Sequence, residues 1–150
     1  MNKKYLIVAI SDFDLKDNVN FCIVNSKEKA NEIIKECELF YSILIDRFNK
    51  IMHFHDKWDC VEDKPKKPDE KSKYFQQDSD IYNERIKEYD DNYQKDREEF
   101  LKTLPPFPIT VKKEIWDFFQ KQTSEDLNSD FDSINQFKKF IIEEIDYLDE

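Results

Sequence analysis

The chain begins with two short apolar segments whose patterns predict paired β-strands. Residues 4–10, KYLIVAI, form a nearly continuous apolar run, as expected for a strand that is covered on both faces. In residues 18–25, NVNFCIVN, apolar and polar positions alternate. The seven residues between the two segments, 11–17, have a suitable length for a hairpin loop. The N-terminal region therefore predicts a β-hairpin.

The next segment carries the clearest helical pattern of the chain. Ser26 occupies an N-cap position, and apolar residues then recur at spacings of three and four. The apolar residues at this spacing are Ala30, Ile33, Ile34, Cys37, Phe40, Leu44, Phe48 and Ile51. The pattern predicts a long amphipathic helix over roughly 26–52.

A second long helix is predicted in the middle of the chain. A charged segment begins after Pro68 and runs to Leu104, where three prolines follow closely. Its apolar residues form a narrow seam of positions seven apart, with QQDSD (76–80) as its weakest part. The seam consists of Phe75, Tyr82 and Tyr89, together with Ile86, Tyr93 and Phe100. Such a seam favours either an antiparallel pairing with the first long helix or an arm over 65–104 that protrudes and binds a partner.

The last third of the chain predicts two further helices. FPITV (107–111) either adds a short edge strand or leads into a helix near 111–122. Asp132 is placed to cap a final helix. The apolar face of that helix would carry Ile134, Phe137, Ile141, Ile145 and Leu148. The sequence thus predicts one α+β domain over 1–150, with an N-terminal hairpin, a third short strand as an alternative, and four helices, two of them long.

Composition restricts the function more than it restricts the fold. With 39% hydrophobic and 15% aromatic residues, the 150 residues can form a substantial core. The formal net charge of −10 disfavours direct binding to nucleic acid and favours a basic protein partner, such as one that itself handles nucleic acid. No apolar run approaches the roughly 18 residues needed to cross a bilayer. Three cysteines do not predict a disulfide framework, and we expect a cytoplasmic protein.

The chain contains no glycine. Glycine permits positive φ and a close approach of the backbone to a ligand. The P-loop, the dinucleotide-binding G-x-G-x-x-G turn and the G-x-S-x-G elbow are therefore absent from the sequence. These absences argue against the enzyme classes that bind nucleotides through such loops, and we predict neither an enzyme nor a cofactor.

One acidic motif nevertheless suggests phosphoryl-transfer chemistry. Residues 6–17, LIVAISDFDLKD, place Asp12 and Asp14 after an apolar run, which resembles the Asp-x-Asp of haloacid-dehalogenase-like phosphatases. That resemblance implies a nucleophilic carboxylate beside a magnesium-binding one, in a fold of parallel strands joined by helices. Here the second predicted strand follows after seven residues, too few for a crossover helix, and Lys16 stands where the family usually has Thr or Val. The spacing favours an acidic turn.

A second candidate site lies in HFHDKWDC (53–60), which holds both histidines. His53, His55 and Cys60 are suitable zinc ligands, but a closed structural site needs a fourth ligand and a different spacing. On an extended backbone, the H-x-H pair would place both imidazoles on one side. The alternative is a polar helix end, where His53 lies near the C-terminal dipole. Cys60 beside His55 is also the one pair suited to nucleophilic catalysis, although no orienting motif accompanies it.

Acidic residues accumulate toward the C-terminus. Within 124–150 there are nine acidic residues and two lysines. Acids at the end of a helix oppose its dipole, so their placement suggests docking to a basic surface, with a solvated tail as the alternative. The predicted partner-binding set combines these acids with tyrosines of the middle helix: Tyr82, Tyr89, Tyr93, Asp130, Asp132, Glu143, Glu144, Asp146 and Asp149.

Together these patterns predict a non-catalytic acidic inhibitor that covers a basic, nucleic-acid-facing surface of another protein. Phage-encoded anti-defence proteins such as anti-CRISPRs are of this kind, as are immunity proteins against nuclease toxins; the similarity is one of size, charge and absent motifs. The acidic end would steer association, and the tyrosines would supply anchors. The alternatives are a small metal-dependent hydrolase, built on the Asp12–Asp14 or the His53–His55–Cys60 group, and a homodimer formed through the tyrosine seam.

Overall fold

The computed structural model of the protein describes residues 2–12, 18–59, 65–108 and 110–147. These residues form three strands and three helices: β1 (Asn2–Ser11), β2 (Val19–Val24), α1 (Lys27–Asp59), α2 (Phe75–Leu101), α3 (Lys113–Gln120) and β3 (Phe137–Tyr147). The predicted α+β class is confirmed. The prediction of four helices is wrong for the described residues, because the last predicted helix is a strand.

The three strands form one antiparallel sheet in the order β2-β1-β3. β1 lies at the centre, as its continuous apolar run indicates, and Ile7, Val8 and Ala9 are all buried. β1 and β2 are neighbours in the sequence and pair antiparallel. The backbone N–H of Ser11 donates a hydrogen bond to Oδ1 of Asn18 at 3.1 Å, which joins the two ends of the connection between them.

β3 is the main departure from the predicted fold. Its residues fit a helical spacing, but they also form a run of β-branched and aromatic residues that suits a pleated strand. The strand is favoured over the helix because β1 has a free edge, and β3 pairs along the full length of β1, from Asn2↔Tyr147 to Ser11↔Phe137. Tertiary pairing has overridden the local pattern.

The segment before α3 also differs from one of its predicted forms. Residues 105–108 and 110–112 contain no strand, so the third strand of the described sheet is β3 rather than FPITV. Ile109 lies outside the described residues. α3 is found within the predicted range and buries Ile115, Phe118 and Phe119.

The chain divides into two compact units, which are described separately below. The first unit comprises Met1–Phe48 and Pro105–Glu150, and the second comprises Asn49–Leu104. α1 contributes residues to both units. It begins as predicted, with the Ser26 Oγ accepting a hydrogen bond from the N–H of Lys29 at 3.1 Å.

The core of the first unit is largely aromatic. The ring of Phe40 on α1 stacks on Phe107 at 4.9 Å and lies 5.1 Å from Phe119 on α3. Phe119 in turn contacts Phe140 on β3 at 6.1 Å. The Tyr41 hydroxyl accepts a hydrogen bond from the backbone N–H of Phe137 at 2.8 Å. α1 and α3 therefore pack against the side of the sheet on which Phe140 lies, and we call this the helix-facing side.

Arg47 is a charged residue inside this core, at a position where the helical spacing predicts an apolar one. Its side chain is only 6% exposed. Nη1 donates a hydrogen bond to the Pro105 carbonyl at 2.7 Å, and Nη2 reaches the Leu127 carbonyl at 3.5 Å. The guanidinium lies 4.5 Å from the ring centroid of Phe107, while its buried Nε has no hydrogen-bond partner. Burial lowers the pKa of Arg47 below its ordinary value.

The backbone conformation is consistent with a sequence that contains no glycine. Among the described residues there is no positive φ angle and no cis peptide bond. Turns are instead closed by short polar side chains: Asp69 accepts a hydrogen bond from the N–H of Lys71, and Asp126 accepts one from the N–H of Asn128. Both bonds are Asx turns, which reverse the chain without a left-handed residue.

Candidate partner-binding surface

The second unit is built around an antiparallel contact between the end of α1 and the second half of α2. The Phe54 ring stacks on Phe100 at 4.4 Å, and one turn later Trp58 contacts Tyr93 and Tyr89, each at 5.3 Å. A residue further along α1 thus contacts residues nearer the start of α2, so the two helices run antiparallel. The seam predicted for the middle helix exists, and its C-terminal half packs against α1.

Hydrogen bonds fix the register of this contact. The Trp58 indole N–H donates to the Asp96 carboxylate at 2.9 Å, and the Tyr89 hydroxyl donates to the Trp58 carbonyl at 3.2 Å. Lys57 Nζ lies 3.7 Å from the same Asp96 carboxylate. α1 extends to Asp59, seven residues beyond its predicted end, and so carries these partners on regular helix. Tyr89 and Tyr93, two of the predicted partner-binding residues, are half-buried within the chain itself.

The first half of α2 is more exposed. α2 is continuous through QQDSD (76–80), and none of its 27 residues is buried. Near its start three large apolar side chains are exposed: Tyr74 by 55%, Phe75 by 37% and Ile81 by 42%. Three large exposed apolar side chains within eight residues are unusual on a solvated helix and favour a binding surface. We call Tyr74, Phe75 and Ile81 the apolar patch.

A polar turn holds the start of the apolar patch. The Ser72 hydroxyl accepts a hydrogen bond from the N–H of Tyr74 at 3.1 Å, and the Ser72 carbonyl accepts one from the N–H of Phe75 at 3.2 Å. The Lys73 ammonium lies 4.9 Å from the centroid of the Tyr74 ring. Because the N–H groups of both aromatic residues are hydrogen-bonded to Ser72, the two rings are presented from an ordered turn.

A groove of about 350 Å³ adjoins the apolar patch. It is lined by Pro65, Lys66, Pro68, Asp78, Ile81, Tyr82 and Arg85. Tyr82, the third predicted tyrosine, thus lies against the proline-containing segment and remains half-exposed. Stiff proline walls beside an amphipathic tyrosine suit the capture of a protruding side chain.

The helix that carries the patch is strongly acidic. α2 contains nine acidic and four basic side chains. From Phe75 to Glu84 it carries three carboxylates, Asp78, Asp80 and Glu84, and no basic residue. Carboxylates therefore predominate along this stretch, whereas Lys73 and Arg85 lie on either side of it.

The acids predicted at the C-terminus are distributed differently from a helical tail. Asp130 and Asp132 lie in the connection between α3 and β3, where Asp132 is exposed and caps no helix. Asp149 lies outside the described residues. The prediction of a final helix that Asp132 caps and that ends with Glu143, Glu144 and Asp146 is wrong, because the structure places β3 there.

The acids on β3 point to both sides of the sheet. Since successive side chains of a strand alternate, Glu143 faces away from the helices, while Glu144 and Asp146 share the other side. Glu144 accepts a salt bridge from Lys3 at 2.8 Å. This contact raises the pKa of Lys3 and lowers the pKa of Glu144.

The two candidate catalytic groups are placed as follows. Asp12 is exposed at the end of β1, and its N–H donates to the Gln136 carbonyl at 2.9 Å; Asp14 lies outside the described residues. His53 and His55 lie near the end of α1, as in the helix-end alternative, and not on an extended backbone; two residues apart on a helix, they point in different directions. Cys60 is also outside the described residues. In the part of the chain that is described, no three His, Cys, Asp or Glu side chains are grouped to bind a metal ion.

Sequence reasoning missed two features of the structure. The apolar patch was not separated from the seam, although the adjacent aromatic pair Tyr74–Phe75 cannot lie wholly on one helix stripe. Arg47 was also missed, although it is a charged residue on the apolar face of α1, three residues after Leu44 and four before Ile51. In both cases the signal was a residue that broke the helical pattern.

Comparison with protein-family models, with curated proteins and with solved structures gives no match. None of the described helices combines the length and the apolarity that crossing a bilayer requires. The function is therefore inferred from the exposed start of α2 and its charges.

Proposed function

We propose that the protein is a non-catalytic inhibitor that binds a basic, nucleic-acid-handling protein through α2. The observation that carries this proposal is the exposed start of α2, where the apolar patch adjoins a stretch, 75–84, that carries three carboxylates and no basic residue. The proposal keeps the kind of partner and the middle helix that the sequence predicted, and it assigns the attraction of that partner to the acids of α2 instead of those near the C-terminus.

The apolar patch would supply most of the affinity. Aromatic side chains bury a large area and lose little conformational freedom, so they are frequent at the energetic centre of interfaces. Tyr74 and Phe75 begin such a cluster on an ordered turn, and Ile81 follows near the groove at Tyr82. A partner side chain that enters this groove would be enclosed by prolines and by the Tyr82 ring.

The carboxylates would supply the approach and the selectivity. The surplus of acidic over basic residues on α2 attracts a cationic surface and repels nucleic acid. A surface that normally holds phosphates would thus accept α2 in their place. Binding of this kind excludes nucleic acid from the partner without any chemical step.

The experiment is affinity capture from a nuclease-treated lysate, followed by identification of the partner and a binding measurement on purified components. We expect a basic nucleic-acid-binding protein that is retained at low salt, released at high salt and displaced by duplex DNA. The variant D78N/D80N/E84Q should weaken binding by about tenfold or more, since each interfacial charge contributes to attraction.

The matched control is E28Q/E32Q/E38Q, which removes the same number of exposed carboxylates from α1. This control should bind like the wild type. The proposal is wrong if the purified partner binds equally well at low and high salt, if DNA does not compete, or if the two triple variants behave alike.

A further inference from the structure

The outer edge of β3 is an unpaired strand edge. β3 pairs with β1 on one side, and no strand among the described residues pairs with its other side. Such an edge presents backbone N–H and C=O groups to any strand that can lie beside it. β2, the opposite edge, is shorter and contains an irregularity in its middle, between Ile7 and Val8 of β1. β3 is therefore the better template.

The charge pattern of β3 allows two copies of the strand to pair antiparallel with opposite charges facing each other. Its sequence, FKKFIIEEIDY, places two lysines before the central isoleucines and two glutamates after them. When two copies of β3 run antiparallel with Ile141 opposite Ile141, Lys139 of each copy faces Glu143 of the other. Lys138 then faces Glu144, and Phe140 faces Ile142. Both lysines and both glutamates are thus matched, and the apolar residues from Phe137 to Ile145 meet one another; Asp146 lies opposite Gln136 and has no charged partner.

We propose that the protein forms a homodimer through β3, with a two-fold axis at Ile141 that joins two sheets into one of six strands. The contact is isologous, so each feature occurs twice. The inference is independent of the proposed function, because α2 belongs to the other unit of the chain. It replaces the tyrosine seam as the homodimer contact.

The register follows from the charges. Moving one copy by two residues in either direction leaves at most one opposite-charge pair per copy and places isoleucine opposite lysine or glutamate. Like charges opposite each other weaken a strand pair, whereas opposite charges strengthen it, and an isoleucine opposite a charged residue loses its apolar contact. Only the arrangement centred on Ile141 pairs both lysines of each copy.

The Lys139–Glu143 pairs carry the proposal. These residues lie in the part of β3 where pairing with β1 is regular, whereas Lys138 is the extra residue at the irregularity beside Ser11. Lys139 and Glu143 are exposed, and with Ile141 between them they lie on the side of the sheet away from the helices. Glu144 already binds Lys3, so the outer pairs add less.

The test is a charge-exchange experiment read by sedimentation over micromolar to near-millimolar concentration. K139E alone and E143K alone each place like charges opposite each other twice, and each should raise the dimer dissociation constant by about tenfold or more. An equimolar mixture of the two variants restores opposite charges across the axis and should dimerise like the wild type. The variant K113E changes an exposed lysine of α3 and should leave the dimer intact.

A cross-link tests the register directly. In an antiparallel pair, directly opposed Cα atoms are about 4.5–5.5 Å apart, within the range of a disulfide. With Cys22 and Cys60 replaced by serine, I141C should form a disulfide-linked dimer on oxidation, whereas I145C, which lies opposite Phe137, should not.

Three outcomes overturn the proposal. The wild type is a monomer at every concentration, the single-charge variants dimerise as well as the wild type, or the mixture of K139E and E143K remains monomeric. Circular dichroism of each variant alone is the folding check, and the mixture contains the same two chains, so restored dimerisation in it shows that both are folded.

Discussion

Two substitutions of Arg47 should separate the contribution of its hydrogen bonds to the stability of the first unit from the contribution of its packing. The Nη1 hydrogen bond to Pro105 at 2.7 Å has a charged donor and contributes about 2 kcal/mol. The contact with the Phe107 ring at 4.5 Å adds about 1 kcal/mol. The Nη2 bond to Leu127 is long, at 3.5 Å, and adds little. Against these terms, the unpartnered buried Nε costs about 1 kcal/mol or more.

The sum predicts a loss of about 2 kcal/mol of unfolding free energy for R47M, whose side chain refills most of the volume. R47A also loses two buried methylenes, about 0.8 kcal/mol each, and should lose about 4 kcal/mol in total. The assay is urea unfolding followed by circular dichroism, with the slope m compared between variants to check that the same surface is exposed.

The control is K35M, which removes an exposed cation from the same helix and should change stability by no more than about 0.5 kcal/mol. If R47A unfolds at the same urea concentration as the wild type, the hydrogen bonds from Arg47 to the Pro105 and Leu127 carbonyls do not stabilise the fold. If R47M is more stable than the wild type, desolvation of the guanidinium outweighs its hydrogen bonds, and the reasoning fails.

Two further predictions concern the cores of the two units. Burial raises the pKa of the Cys37 thiol to about 12, above its usual value of 9.0, so the folded state keeps a proton that the unfolded chain loses. Stability should therefore be complete below about pH 9 and fall by about 1.4 kcal/mol per pH unit above it, until about pH 12. The variant C37A should flatten this slope in unfolding measurements; an unchanged slope would assign it to other groups. In the second unit, W58F keeps a ring against Tyr89 and Tyr93 but loses the indole N–H donor to Asp96, which should cost about 2 kcal/mol in thermal or urea unfolding. Combining W58F with D96N should cost little more than W58F alone, and fully additive losses would show that the hydrogen bond contributes nothing.

The elements that sequence reasoning located correctly are those whose pattern is long or bounded by a specific residue. α1 was predicted because its apolar stripe is long and Ser26 caps it. Its end was misplaced because His53 and His55 were taken for a connector, and no proline or glycine marks the true end near Asp59. Helix boundaries without such residues are set by packing, here by the contacts of Phe54 and Trp58.

β3 shows a limit of a different kind. Residues 134–148 satisfy a helical period, and the strand is chosen because β1 offers a partner along its whole length. That partner is distant in sequence, so no local window contains the information. The misplaced helix also misplaced the candidate site, because the acids Glu143 and Glu144 were assigned to a helix end.

The sequence predicted a partner-binding surface, and the structure shows where the residues assigned to it lie. Net charge and the tyrosine seam pointed to an acidic protein-binding helix. Which tyrosines remain available depends on where α1 ends, since Trp58 contacts Tyr89 and Tyr93. Tyr74 is exposed because it precedes the part of α2 that α1 contacts.

The position of β1 between its two partners has a consequence for synthesis of the chain. β2 leaves the ribosome shortly after β1, but β3 leaves only after all three helices. Until then the nascent hairpin carries an open apolar edge, the same edge that later binds Phe140 and Ile142. One edge of β1 therefore stays unprotected until all three helices and β3 have been synthesised.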